Sequence, residues 1–528
     1  MESIEERLLK TPLKNIWQKI GIHNHHGFLV SLLGIHSNQS VGCGEYLDLM
    51  GLIDFAKKCG FDLIQLLPVN DSGTISSPYS ALSSCALHPI YLALRQLPFL
   101  EMHPQLEQEL DNAPAVDFEK RVDYLAVYHF KMHWLKRYFL AVKEALLIQD
   151  SYQIFCQESS WLKPYALYRA LKDQHDQLPW NAWPEDLQNP SHASIQKLCA
   201  TYQDQIDFYS ALQYLSYQQL KSVRAYADRQ EIKLMGDIPI LINKDSVDCW
   251  HTSHYFNFEL VAGAPPDIFN PEGQCWDFPL YNWTALSQSD YAFWKTRLHF
   301  AENFYHIYRI DHVIGCFRIW AMEHGQKPTE GQFIPADSGL VLMQGTKVLN
   351  SMIQASNMLP IAEDLGIMPD GASQVLIDLG IPGTRVVSHF RQNKGQGPYV
   401  PLCEYDPVNL TCFSTHDLET AQGWWQTYPT LVQDFYQMLG STPPEFTKDT
   451  QIQLLKLSHH TSTLFHVNLL NEYLACIPGL TSDKPDDERI NRPGIVSPDN
   501  WTYRYKLSVE QLLSCQALIS TISSIITC

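Results

Sequence analysis

Apolar residues gather in this chain into short runs separated by amphipathic stretches. Gly27–Leu33 (GFLVSLL) and Phe61–Pro68 (FDLIQLLP) read as buried strands, and Tyr46–Cys59 between them carries helical spacing. Both runs are apolar throughout rather than alternating, as strands covered on two faces require, so the opening predicts a β-α-β unit of a parallel sheet. From 97 to 230 the texture shifts to long segments rich in Leu, Gln, Tyr, Lys and Glu, which predicts a helical insertion. Strand texture returns at Glu231–Pro239, and further strands are expected at Phe304–Ile310, Met358–Ala362, Gly383–Phe390 and Asn409–Thr415. Helix-like stretches follow these runs. The alternation predicts an α/β fold, a (β/α)8 TIM barrel with helical and loop insertions, with 1–528 as a single catalytic domain. Two Gly/Pro-rich stretches, Ala262–Tyr281 (within a lid loop taken as 262–283) and Gly325–Gly339, are expected as long functional loops.

Acidic residues sit where these runs end. Asp311 closes FYHIYRID, Glu363 follows MLPIAE and Asp417 follows NLTCFSTHD, at spacings of 52 and 54 residues. In a closed barrel the C-terminal ends of the strands converge on one rim, so acids distant in sequence can meet there. Two carboxyl groups facing one sugar are what cleavage of a glycosidic bond with retention needs, one as nucleophile and one as proton donor. Arg309 lies two residues before Asp311 on the same side of a strand and is expected to hold it ionised. Glu363 follows an apolar stretch, where burial would keep it protonated. Asp417 beside His416, and Asp237 in MGDIPI, could grip sugar hydroxyls. A strand-end acid is also a common helix cap, so any one of these positions alone says little. A second reading takes His23, His25 and His26 with His389, His416 and Asp417 as a metal set. HNHH precedes its strand, however, which places it on the opposite rim.

Composition narrows the partners. With 45% hydrophobic and 12% aromatic residues the chain can bury a large core, and its net charge of −19 disfavours nucleic acid and anionic membranes. Thirteen cysteines, scattered without a CxxC pair, fit a reducing cytosol. The start, MESIEERLLK, lacks a signal-peptide core, and Leu512–Cys528 reads as a final packing helix. The expected location is cytoplasmic.

Six strings in order carry a family resemblance: SPYSALSSCALHPIYL (Ser77–Leu92), GDIPILINKDSVDCW (Gly236–Trp250), YRIDHVIG (Tyr308–Gly315), PIAEDLG (Pro360–Gly366), STHD with Thr420 and Gly423-Trp424, and RINRPG with NW (Arg489–Gly494, Asn500-Trp501). Together they resemble the 4-α-glucanotransferase (amylomaltase or disproportionating enzyme) family of the α-amylase-like barrels. The resemblance implies Asp311 as nucleophile, Glu363 as acid and then base, and Asp417 as the residue that distorts and binds the donor sugar. It implies supporting or sugar-contacting roles for Tyr79, Asp237, Arg309, His312 and His416, and a lid bearing Asp267, Phe269 and Trp276. Aromatic faces stack on the apolar faces of glucose rings. The implied activity is transfer of α-1,4-glucan segments between maltodextrins or to glucose, or on glycogen-derived chains, without cofactor or metal. An α-glucan hydrolase of the same barrel class and an idle glucan-binding protein are the alternatives. The chain departs from the family pattern at Ile268 (usually Tyr), at Phe278-Pro279 (usually Asn-Pro), at Leu418-Glu419 (usually Asn-Asp) and in the lead-in Ser414-Thr415 (usually Gly-Thr). These departures leave the three carboxylates in place and bear on acceptor preference.

Overall fold

The structure, a computed structural model, describes residues 2–113, 117, 120–267, 270–392 and 397–527. Its strands in chain order are β1 (His25–Val30), β2 (Leu63–Leu66), β3 (Lys233–Ile238), β4 (Phe256–Ala264), β5 (Gln274–Tyr281) and β6 (Ile307–Ile310), followed by β7 (Ile319–Glu323), β8 (Gln332–Ile334), β9 (Leu359–Ala362), β10 (Gly383–Val386), β11 (Asn409–Cys412) and β12 (Phe465–Leu469). Eight of them form one parallel sheet in the order β10-β11-β12-β1-β2-β3-β6-β9. Its two ends meet. The Ala362 N–H donates to the Pro382 carbonyl at 2.7 Å, and the Thr384 hydroxyl donates to the Ala362 carbonyl at 2.9 Å. Gly383 makes that approach possible, since a Cβ there would stand 2.7 Å from Asp364 Oδ2 and 2.8 Å from Asn409 Oδ1. The sheet is thus nearly closed into a barrel.

Seven barrel strands coincide with the apolar runs, though most are shorter than the runs suggest. β6 and β9 lose residues at their N-terminal ends and stop where the runs stop, at Ile310 and Ala362, which puts Asp311 and Glu363 in the first position beyond their strands. β1 begins at His25 rather than Gly27, and Leu32–Gly34 is a 3-10 turn rather than strand. The eighth strand, β12 (FHVNL), is not among the predicted runs because His466 and Asn468 interrupt its apolar texture. Both are fully buried and are met by partners outside the strand: His466 Nδ1 meets the Ser458 carbonyl at 3.0 Å, and Asn468 Oδ1 accepts the Phe413 N–H at 2.7 Å.

The two Gly/Pro-rich stretches hold more order than loops. β4 and β5 form an antiparallel hairpin that joins β7 and β8 in a separate sheet ordered β5-β4-β7-β8. Pro279 sits within β5 opposite Val261, beside a register shift, where a missing N–H is tolerated. That proline and the glycines around it hide the strands from a propensity reading.

The segment between β2 and β3 is largely helical, with long helices at Tyr124–Leu147, Leu162–Gln174 and Gln203–Gln230. Asp71, fully buried in the loop after β2, accepts from Tyr165 Oη at 2.5 Å, from the Gly73 N–H at 2.9 Å and from Arg169. A buried carboxylate needs such partners, and here they tie the helices to the loop that carries Tyr79. The last helix, Gln516–Ile526, buries Leu518, Ile519, Ile522 and Ile525. Among the described residues no helix is long and apolar enough to cross a membrane.

Candidate active site

Neighbouring strands place the acids. Asp237 on β3 is the register partner of Arg309 on β6, which in turn pairs with Ile361 on β9, so the three share one rung of the barrel. Arg309 Nη1 donates to both Asp237 oxygens at 2.9 Å and to Asp311 Oδ1 at 2.8 Å, while its Nη2 lies 3.6 Å from Glu363 Oε2. One planar guanidinium therefore spans three carboxyl groups, a task its fixed fork suits better than a lysine would. The side chains of Arg309, Glu363 and Asp311 are 12%, 13% and 24% exposed, which puts Asp311 nearest solvent.

Backbone contacts fix the two central acids. The Asp311 N–H donates to the Ile238 carbonyl at 3.2 Å and the Glu363 N–H to the Ile310 carbonyl at 3.0 Å, each continuing the ladder by one step. Burial pushes the Glu363 carboxyl up to about 8, against the pull of Arg309 and with the repulsion of Asp311 added. Burial likewise raises Asp237 above the usual carboxylate range, with Arg309 opposing it. His312 is pulled down to about 4 by burial, so its imidazole is neutral at ordinary pH.

The third acid stands across the rim. Asp417 Oδ2 lies 3.4 Å from His416 Nε2, and Asp417 is the most exposed of the set at 41%. Tyr79 bridges the two sides: its hydroxyl donates to Asp237 Oδ2 at 2.7 Å and meets His416 Nε2 at 3.1 Å, with the two rings stacked 5.7 Å apart. Tyr79, Asp237, Arg309, Asp311, Glu363, His416 and Asp417 thus form one connected set. A cavity of about 30 Å³ lies directly beneath, lined by Leu29, Gln65, Met235 and Val467 among others. It has room for about one water molecule, so nothing the size of a sugar enters the barrel itself.

The lid residues divide. Trp276 on β5 meets the His312 ring edge-on, 5.0 Å between centroids, which brings the hairpin to the side of Asp311. Asp267 is exposed and forms a turn, accepting the Asn270 N–H at 2.6 Å. Phe269, with the departure Ile268, lies outside the described residues. Three residues given no role from sequence also reach the site. Asn491 Nδ2 donates to Asp417 Oδ1 at 2.7 Å, Arg489 donates to the Asp417 carbonyl at 3.0 Å, and the Trp501 ring packs on Tyr79 and His416 at 5.2 and 5.7 Å. All three belong to the RINRPG and NW strings, which marked the place without saying what the side chains touch.

The histidines weighed as a metal set do not assemble. His25 and His26 begin β1 at the N-terminal rim, while His416 and Asp417 follow β11 at the other.

A sequence profile described as 4-alpha-glucanotransferase matches residues 30–509. A 4-alpha-glucanotransferase of Chlamydia caviae is 42% identical over 521 residues, covering 98% of this chain and 97% of the relative. One from Thermus thermophilus is 30% identical over 467 residues, 85% and 88% of the two chains. Among solved structures, amylomaltase from Streptococcus agalactiae in complex with acarbose superposes with a TM-score of 0.79 at 22% identity, over 96% of this chain and 99% of that one. That likeness establishes the barrel and its insertions. With the profile spanning most of its length and relatives matched nearly end to end, the chain belongs to the 4-alpha-glucanotransferase family.

Proposed function

We propose that the strand-end acids carry out retaining transfer of α-1,4-glucan segments in two displacements. Asp311 attacks the anomeric carbon while Glu363 gives its proton to the glycosidic oxygen, so the leaving chain departs neutral and the donor fragment stays bound to Asp311. An acceptor 4-hydroxyl then attacks the same carbon, gives its proton to the Glu363 carboxylate and releases Asp311. Asp417 and His416 bind hydroxyls of the donor ring, Asp237 and Tyr79 hold Arg309 and the sugar, and Arg309 keeps Asp311 aimed. The observation that carries this reading is the shared guanidinium, with one acid raised to about 8 beside another that ion-pairs with Arg309 at 2.8 Å.

Transfer outruns hydrolysis when an acceptor reaches the intermediate before water does. The hairpin that sets Trp276 against His312 supports reading 262–283 as the lid, with Asp267 on the acceptor side. Maltodextrins and glycogen-derived chains are the substrates the chemistry suits. The twelve described cysteines are all unpaired, which fits a cytoplasmic setting. Incubation with maltotriose tests the proposal. Longer maltodextrins with free glucose are the expected products. Glucose and maltose alone would make the protein a hydrolase, and unchanged maltotriose would make it a binder.

A further inference from the structure

The rim of the barrel where the strands begin holds a group of residues that the transfer chemistry does not use. His23 and His25 lie ahead of and at the start of β1, with ring centroids 4.2 Å apart. Asp62 immediately precedes β2 and faces both: its Oδ2 is 2.6 Å from His25 Nδ1 and 3.8 Å from His23 Nε2. One donor atom from each of the three can be chosen so that all lie within 4.8 Å of one another. The His25 side chain is 1% exposed, Asp62 32% and His23 62%, so the group is backed by protein and open to solvent on one side.

The surroundings already hold these side chains as metal ligands are held. His25 turns its other ring nitrogen to the Gly21 carbonyl at 3.1 Å, the usual outer contact of a ligating imidazole. The remaining Asp62 oxygen, Oδ1, accepts the His26 backbone N–H at 2.9 Å. Two imidazole nitrogens and one carboxylate oxygen suit borderline divalent cations such as zinc, nickel or copper, whereas calcium and magnesium favour oxygen alone. We propose that His23, His25 and Asp62 form a peripheral binding site for a borderline divalent transition-metal ion, with water completing the coordination.

A proton now bridges His25 Nδ1 and Asp62 Oδ2. Ligand atoms around a tetrahedral zinc stand about 3.3 Å apart, so the ion opens this contact by roughly 0.7 Å and draws exposed His23 inward. The Nδ1 lone pair goes to the metal, and the ring proton is then carried on Nε2, where the Gly21 carbonyl accepts it. Lys233 and His26 are the other charged or titratable groups beside the cluster, with His460 beyond them, and Lys233 opposes the ion.

Titration of zinc chloride into EDTA-treated full-length protein, followed by calorimetry, tests the site. Saturable binding of one ion per chain is expected. His23→Ala removes an exposed side chain, keeps the fold by circular dichroism, and should weaken binding by at least about tenfold. Transfer from maltotriose should proceed at equal rates in wild type and His23→Ala, each treated with EDTA. Absence of saturable binding, or equal affinity in His23→Ala, would overturn the proposal, the latter by placing the ion among other histidines.

Discussion

The backbone N–H of His312 donates to Glu363 Oε2 over 2.6 Å. His312 has φ of +47°, an uncommon conformation for a residue with a side chain, and the next N–H, of Val313, reaches the Glu363 carbonyl at 3.0 Å. The turn that bears Asp311 is therefore fastened to Glu363 through main-chain atoms, independently of the Asp311 side chain. Asp311→Asn should leave this fastening intact and remove only the carboxylate proposed as nucleophile. A loss of at least about four orders of magnitude in transfer from maltotriose is expected, with an unchanged melting curve. Appreciable residual turnover would exclude Asp311 as the attacking group.

In the proposed reaction Glu363 must be protonated for the first displacement. With its carboxyl at about 8, kcat/KM should fall on the alkaline side with a midpoint near that value. Glu363→Gln should abolish this limb along with most activity on maltotriose. An α-glucosyl fluoride donor, whose leaving group needs no proton, should still form the glycosyl-enzyme in the variant. Failure with both donors would point to a misplaced site rather than a missing proton.

The same shift has a stability consequence. The unfolded carboxyl releases its proton near 4.5 while the folded one holds it to about 8, so between these values the unfolded state binds fewer protons and stability falls as pH rises. Glu363→Gln removes that penalty. Its melting temperature should exceed that of wild type at pH 8, with the gap closing toward pH 4.5. Equal melting at pH 8 would contradict the raised affinity for the proton.

Asn491→Ala strips Asp417 of its 2.7 Å donor. A hydrogen bond to a charged group is worth about 1.5–3 kcal/mol, so kcat should drop by roughly tenfold or more, with the fold retained. Tyr79→Phe, which removes the hydroxyl between Asp237 and His416, should cost a similar factor. A normal rate in both would mean that these contacts do not position the acids.

Acid should loosen the opposite end of the barrel. His26 Nδ1 and His459 Nδ1 face each other at 2.9 Å, and the Asn468 amide donates to His459 Nε2 at 3.2 Å. In the neutral pair one of the two facing Nδ1 atoms carries the proton that joins them. A further proton would set two N–H groups head to head. Burial holds His26 at about 4 and His459 well below its usual value, whereas unfolded histidines take protons near 6.5. The unfolded state therefore binds more protons in this window, and stability is lost as pH falls from about 6.5 toward 4. The melting temperature should decline over that range, and His26→Gln should flatten the slope.

Local pattern carried the fold as far as each strand's own residues could. Buried parallel strands are apolar along their whole length, so seven showed themselves, and the acids closing four of the runs, Asp237, Asp311, Glu363 and Asp417, pointed to one rim. β12 escaped because its two polar residues are satisfied by partners at Ser458 and Phe413 that no local window contains. The hairpin of β4 and β5 escaped because its bulge and Pro279 look like loop. The acids were legible from chemistry, and Tyr79 only from the family strings, since its hydroxyl finds Asp237 and His416 across 158 and 337 residues. Asn491 reaches Asp417 across 74 residues, a contact that its RINRPG string marked by place but not by partner.

The place where the parallel sheet meets itself adjoins Glu363. There the Thr384 N–H donates to Asp364 Oδ1 at 2.8 Å, and Arg385 Nη1 meets both Asp364 oxygens at 2.8 and 2.9 Å. The charge on Asp364 also favours a proton on its neighbour. Arg385 and the Thr384 N–H hold that charge in place, so the closure of the barrel also sets part of the field at Glu363.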